Sequence, residues 1–450
     1  MLQVNVALPS GKSTSLSVPT SSKVEDLKGL AQKALGQAFL TLVTADGHVL
    51  ASKAKTTRES LDALGIQEGD HITAISQEPK LSATADAFAL WCYGGDFIVA
   101  WGHPDRGGDQ CCITEVQAQI KNLQEIKGTK RAFAAVQADG SCVTWGAPYW
   151  GGDSSPLVEL KNVQQIQASS SAFAAILADG SVVTWGDRAC GGDSSAVQDQ
   201  LKRVQQVQAT DRAFAAILAD GSVVVWGDAF AGGENSGVRD KLKNVQQLQA
   251  TASAFAAVLA DGSVVTWGNL HWGGDSSEVQ DQLRNVEHIQ ATARAFAAIL
   301  TDRSVITWGE PDCGGDSTKV QSQLRDVCQI WGTKRAFAAI LADGSVVTWG
   351  DPRTGGDSFA AQDQLKGVEQ LQATASAFAA ILADGSVVTW GHPDSGGDSS
   401  RVQSQLRKVQ QLQATDSAFA AILADGSLIT WGNPKGGGDS SRIQEWLARL

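Results

Sequence analysis

Ala418-Phe419-Ala420-Ala421-Ile422-Leu423-Ala424-Asp425-Gly426-Ser427-Leu428-Ile429-Thr430-Trp431-Gly432 decides the fold of this chain. Alternation puts Phe419, Ala421 and Leu423 on one side of a strand and Ala418, Ala420 and Ile422 on the other. Both sides are apolar, so the sheet must be covered on both faces. Asp425-Gly426 is a strong short-range hairpin signal, and Ser427 to Trp431 returns as the next strand. Upstream, Val409-Gln410-Gln411-Leu412-Gln413-Ala414 reads as a further short strand, with Leu412 and Ala414 on one face.

The same text recurs. Trp-Gly stands at Trp101, Trp145, Trp185, Trp226, Trp267, Trp308, Trp349, Trp390 and Trp431. Eight residues after each lies an acid, from Asp109 to Asp439, almost always in Gly-Gly-Asp. A Phe precedes each later Trp by 12 residues, and Phe88 precedes Trp101 by 13. Nine units of about 41 residues therefore fill 78–450. After the Gly-rich turn, Asp398 to Leu406 reads as a brief helix, with Ser400 and Gln403 as a capping box and Val402 and Leu406 one turn apart. Three strands and a helical turn cannot bury two apolar faces alone, and stacking on neighbours solves this. The thin Ala/Ile side and the thick Phe/Leu side suit interdigitation. The expected fold is mainly β, a propeller-like ring of three-stranded blades, with an open superhelix as the alternative.

These repeats resemble those of the regulator-of-chromosome-condensation family. Their short period is closer to the three-stranded blades of the bacterial β-lactamase-inhibitor propeller in that superfamily. Relatives usually close at seven blades, and propellers typically stop at eight, so nine units put closure in question.

Residues 1–77 do not share the period. Val4 and Val6 alternate in a first strand, Pro9 to Lys12 turns, and Leu16 and Val18 alternate back. Val24, Leu27, Leu30, Ala31 and Ala34 fit one helix face. Phe39 to Val43 and His71 to Ile75 read as two more strands. This ββαββ order resembles ubiquitin and its β-grasp relatives. Conjugation is not expected, because Ile75-Ser76-Gln77-Glu78-Pro79 runs into the repeats without a free Gly-Gly tail. The resemblance implies an exposed apolar recognition patch near Leu8, Val43 and Ile75.

Composition narrows the function. Thirty-six basic against 48 acidic residues give −12, which disfavours nucleic acid as a partner. Charges balance within 1–77, so the excess belongs to the repeats. No apolar run is long enough for a membrane span, and the N-terminus shows no secretory pattern. Seven cysteines without CxxC or a repeated spacing read as a reduced cytoplasmic or nuclear chain. Gly11-Lys12-Ser13 resembles the end of a phosphate loop, but the upstream glycine position holds Val6. The six histidines occupy non-equivalent places, and each unit has one dependable carboxylate at its Gly-Gly-Asp turn. No metal site, cofactor or catalytic set is therefore expected, and the chain reads as a non-enzyme. The acids read as caps, and Arg303 in place of a hairpin glycine argues against a chemical role for the Asp-Gly pairs.

Between Trp-Gly and Gly-Gly, four residues change in nearly every unit. They supply Tyr149, Trp150, Arg188, Phe230, His271, Trp272 and Arg353 as candidate partner-binding residues. A second variable stretch precedes each Ala-Phe-Ala, as in Thr129-Lys130-Arg131. Trp331, in place of a Gln in the first strand, is a further candidate. Variable loops on constant flanks place the variation on one common surface, as in repeat scaffolds that bind proteins. The expectation is a non-enzymatic adaptor: the array binds a protein partner, and the N-terminal domain docks to ubiquitin-pathway components. The resemblance also implies two rivals, a regulator of a small GTPase and a non-catalytic relative of HECT ubiquitin ligases. Near-constant spacing leaves no room for an exchange-factor wedge, and only 19 residues follow Trp431, which points away from a HECT catalytic domain.

Overall fold

The computed structural model describes residues 1–35, 40–50, 60–153 and 160–447. The N-terminal unit pairs β1 (Leu2–Ala7) with β2 (Ser13–Val18), crosses through α1 (Val24–Leu35), and continues with β3 (Leu40–Thr44), β4 (Val49–Leu50) and β5 (His71–Ser76). The strand order is β2-β1-β5-β3-β4, with β1 and β5 parallel. The two-residue β4 is an addition to the expected order, and Phe39 lies outside the described residues. Helix α1 buries Val24, Leu27, Ala31 and Leu35, whereas Leu30 is exposed and Ala34 faces solvent. At about 100° per residue, Leu30 sits roughly a quarter-turn off the stripe that the other four share. Gly11 takes φ +91° in the β1–β2 turn, and Lys12 Nζ donates to the Leu35 carbonyl at 2.5 Å, a structural role at the end of α1.

From Pro79 onward the chain forms nine three-stranded antiparallel sheets, each from one contiguous segment. In the last, Val409–Ala414, Ala418–Leu423 and Leu428–Gly432 pair in order, Phe419 opposite Trp431. Every middle strand is buried on both faces. The Phe and Trp of a blade stack, at 5.2 Å between centroids for Phe419 and Trp431. The thin face of one blade meets the thick face of the next: Ala377, Ala379 and Ile381 share a core with Leu412, Phe419, Ala421 and Trp431.

A repeated joint welds the blades. The first glycine of each Gly-Gly pair has φ near +90°, and a Cβ there would strike the Phe ring of the next blade, at 2.6 Å for Gly396 against Phe419. The next blade's indole N–H donates to that glycine's carbonyl, as from Trp431 Nε1 to Gly396 at 3.0 Å. Only glycine satisfies both demands. At the hairpin end, the leading N–H of each inner strand after the first, which begins at Pro79, donates to the preceding hairpin, as from Val204 to the Gly180 carbonyl at 2.9 Å. Arg303 adopts φ +63° and serves Val327 in the same way.

The ring closes. Trp101 Nε1 of the first blade donates to the Gly437 carbonyl of the ninth at 3.0 Å, and Gly437 abuts Phe88. Ala418, Ala420 and Ile422 share a core with Leu90, Val99 and Trp101, and Ile443 of a short terminal helix α3 (Ser441–Leu447) joins them. Nine blades thus form one circle without exchanging a strand, and the open superhelix is set aside.

Apart from α2 (Gln110–Gln117) and α3, the segment expected as a brief helix is a run of tight turns. Asp398, not Ser400, caps it, its Oδ1 accepting from Ser400 N at 2.9 Å. Gln403 is used differently: Nε2 donates to the Val387 carbonyl at 2.8 Å, and Oε1 accepts from Ser399 Oγ at 2.7 Å. A few residues pinned to the outer strand and emerging at buried Leu406 are too short to propagate a helix. The clamp also covers part of the outer strand's edge.

Candidate interaction face

Both variable stretches meet at one end of the ring. Where the inner strand of blade 9 ends, Thr415 Oγ1 accepts from Ala418 N and donates to the Gly436 carbonyl, each at 2.9 Å. Asn433 N donates to the Ser417 carbonyl at 2.9 Å, fixing one variable stretch against the other. The tetrapeptide itself is a single 3-10 turn, Pro434–Gly436. Asn433 caps it through Oδ1, and Gly437 ends it in the left-handed region. Asp187, Asp228, Asn269 and Asp351 cap their turns likewise. The tips led by His103, Ala147, Glu310 and His392 lack a side-chain cap and are held by backbone bonds alone, as where the Ala147 carbonyl accepts from Trp150 N and Gly152 N, each at 3.0 Å. The backbone of each tip is thus fixed while its third residue is exposed.

That third residue divides the face into two zones. Blades 2 to 5 carry Tyr149, Ala189, Phe230 and His271, whereas the other five carry Asp105, Asp312, Arg353, Asp394 and Lys435. Tyr149 and Phe230 are each 88% exposed, and Leu270, beside His271, is 65% exposed. Trp150 and Trp272 are not free aromatic tips as expected. Both are half-buried because the fourth residue turns inward, and each lies under a guanidinium: Arg131 Cζ is 4.6 Å from the Trp150 ring and Arg294 Cζ 4.4 Å from that of Trp272. Arg188 and His271 are exposed, with Arg188 Nε 4.0 Å from Asp193. Arg353 folds back onto its own cap, Nε donating to Asp351 Oδ1 at 3.3 Å, so its charge is partly spent within the turn. Arg131 was named only within the second variable stretch, and Leu270 and Arg294 were missed as members of the face. Their signal was available: variable positions in the same two stretches, with an indole and a guanidinium at matching loop positions. Trp331 lies in an inner strand, half-buried against a blade core, rather than on this face.

The ring axis opens on the same face through a cavity of about 490 Å³. Its rim is a head-to-tail chain of eight backbone hydrogen bonds. In each, an N–H donates to the carbonyl at the matching position of the next blade, from Lys130 to Ser170 and onward to Asp416 and Ala85, at 2.7–3.1 Å. Two ion pairs each reach over one blade: Lys130 Nζ to Asp211 Oδ2 at 2.9 Å and Lys334 Nζ to Asp416 Oδ2 at 2.7 Å. The skipped residues, Ser170 and Ala375, are small.

The opposite face bears the Asp-Gly hairpins. Asp179, Asp220, Asp261, Asp343 and Asp384 each accept from Oγ and N of the serine two residues on, at 2.6 and 2.9 Å in Asp261. These bonds, the side-chain one foremost, hold the carboxyls below their ordinary range. Asp193, Asp275, Asp316, Asp398 and Asp439 of the Gly-Gly-Asp turns are lowered, foremost by the N–H they cap, as Asp398 is by Ser400. Burial pushes the Cys92 thiol up to about 12, which keeps it protonated. Among the described residues no group of three or more His, Cys, Asp and Glu is placed to hold a metal.

In the N-terminal unit, the expected patch is split. Val43 and Ile75 share the outer face of the sheet with Thr73 and Thr41, their cross-strand partners, and Ile75 is 44% exposed. Leu8 is instead buried in the core with Val4, Val6 and Leu42, because it continues the alternation that points Leu2, Val4 and Val6 inward. An exposed patch including Leu8 does not form.

Among solved structures, Prp20p from Saccharomyces cerevisiae, the yeast RCC1, aligns over 70% of this chain and 83% of its own, at 15% identity and TM-score 0.40. The computationally designed Ika8 protein covers 69% and 96%, at 14% identity and TM-score 0.35. Human WBSCR16 covers 65% and 80%, at 15% identity and TM-score 0.35. The likeness is to proteins of repeated β-blades, and it is loose in both sequence and superposition. No family model and no curated protein matches the sequence.

Proposed function

We propose that this chain is a non-enzymatic adaptor whose loop face holds a protein partner. One observation carries the reading: nine tips of fixed backbone present different side chains on one surface, and two of the most exposed large apolar residues, Tyr149 and Phe230, stand there. Exposed aromatics on a rigid frame bind at low entropic cost. The test is affinity capture from native extract with the full chain and with Tyr149→Ser/Phe230→Ser. Loss of a specific partner with an unchanged melt supports the adaptor, and full retention by the variant overturns the assignment to this face.

In the same proposal, the N-terminal unit docks to ubiquitin-pathway components through the Val43 and Ile75 side of its sheet. Ile75→Asp in the full chain should release any such component while sparing the partner held by the ring. The rival, regulation of a small GTPase, is separated by nucleotide release from candidate GTPases, which the adaptor leaves unchanged. The HECT-relative reading is weighed by whether a thioester-forming partner accompanies the captured complex.

A further inference from the structure

The loop face is not uniform, and its two zones differ in chemistry. The third tip residue is uncharged over four consecutive blades, 2 to 5, and charged over the remaining five. Within this arc stand the exposed Tyr149, Phe230 and Leu270. The arc is bracketed by two cation–aromatic stacks, Arg131 on Trp150 at one end and Arg294 on Trp272 at the other. Arg188, on the blade between Tyr149 and Phe230, is 87% exposed. Its nearest carboxylate, Asp193, is at the limit of ion pairing. Among the described residues neither Arg131 nor Arg294 has a carboxylate partner, in contrast to Arg106, Arg212 and Arg335, which are paired with Asp86, Asp228 and Asp351.

A guanidinium laid on an indole keeps its N–H edge free and pre-oriented, and that edge matches a carboxylate in two-point geometry. Apolar tips between such edges call for a ligand with apolar side chains between its acids. The arc follows the ring's curve over four separate blades, so an extended segment can touch all of it, whereas one compact side-chain cluster cannot. We infer that blades 2 to 5 of the loop face receive an extended acidic peptide in which carboxylates flank aromatic or aliphatic residues. This rests on the adaptor reading and names the class of partner it would take.

The full chain is used to select binders from a random-peptide display library, and the best peptide is resynthesised with a fluorescent label and titrated. The expected peptides interleave Asp or Glu with Phe, Tyr, Trp or Leu. Tyr149→Ser/Phe230→Ser should weaken binding by at least about tenfold. Arg131→Gln/Arg294→Gln should weaken it by roughly tenfold and reduce its salt dependence. Arg131→Lys/Arg294→Lys, which retains the charge but not the fork, should fall between, and circular-dichroism melts verify that each variant is folded. Basic peptides, peptides without acids, indifference to the arginine changes, or no enrichment at all would each overturn the inference. If binding is lost instead with Arg353→Ala/Lys435→Ala, the arc is wrong while a binding loop face stands. If no loop-face substitution alters partner capture from extract, the adaptor reading itself falls.

Discussion

In each blade the joint and the tip are neighbours in one short turn, yet they obey different rules. Gly437 sits two residues beyond Lys435. The glycine has φ +100° and presses on Phe88, and its carbonyl accepts the Trp101 indole N–H. The lysine donates its backbone N–H to the Asn433 cap and sends its side chain away from the frame. Contact on all sides makes the joint the same in every blade, whereas a tip whose backbone needs are met by its cap can carry any side chain. Repetition in this chain therefore tracks packing, and variation tracks freedom from it.

That contrast can be broken at several points. The largest effect is expected at the joint: Trp349→Ala removes the stack on Phe337 and the bond to Gly314, and should cost about 3–5 kcal/mol. Urea titration followed by tryptophan fluorescence measures it, and an unmoved transition would remove the packing role. Next comes Gly314→Ala, whose Cβ would lie 2.6 Å from the Phe337 ring at φ +92°. A cost of about 1–3 kcal/mol is expected. A neutral result would show that the blades can slide apart without penalty.

Acid should act more gently and through the hairpins. Their carboxyls are held below the ordinary value in the fold, so their contribution is present above the unfolded value near 4 and is lost as pH falls through the folded values. The urea midpoint should drop between pH 7 and pH 3, less so in Asp261→Asn/Asp343→Asn; equal pH dependence in the variant would remove the hairpin acids as its source. The smallest effect is expected at a tip: Phe230→Ser should change stability by no more than about 0.5 kcal/mol. A cost there like that of Trp349 would erase the distinction between tip and joint.

Much of this was legible in the chain. The middle strand, the Asp-Gly hairpin and the thin and thick faces follow from alternation, which needs only local geometry. The common surface of the loops also followed, since matching positions in a repeat must occupy matching places. Leu8 and Leu30 were misread although local spacing places both: Leu8 continues the alternation of Val4 and Val6 toward the core, and Leu30 lies a quarter-turn off the buried stripe of α1. The Ser400/Gln403 pair was misread because the outer strand claims the Gln403 amide, a partner that local spacing does not encode.

By itself the sequence determined the blade, the count of nine, and which positions vary. The tertiary structure alone decided that nine blades close, that Trp150 and Trp272 lie beneath arginines, and that Arg353 folds back onto its own cap. Closure requires the turn at every joint to add up to a full circle. That sum depends on how deeply each Phe seats against the preceding glycine, a property of packed surfaces rather than of residue order.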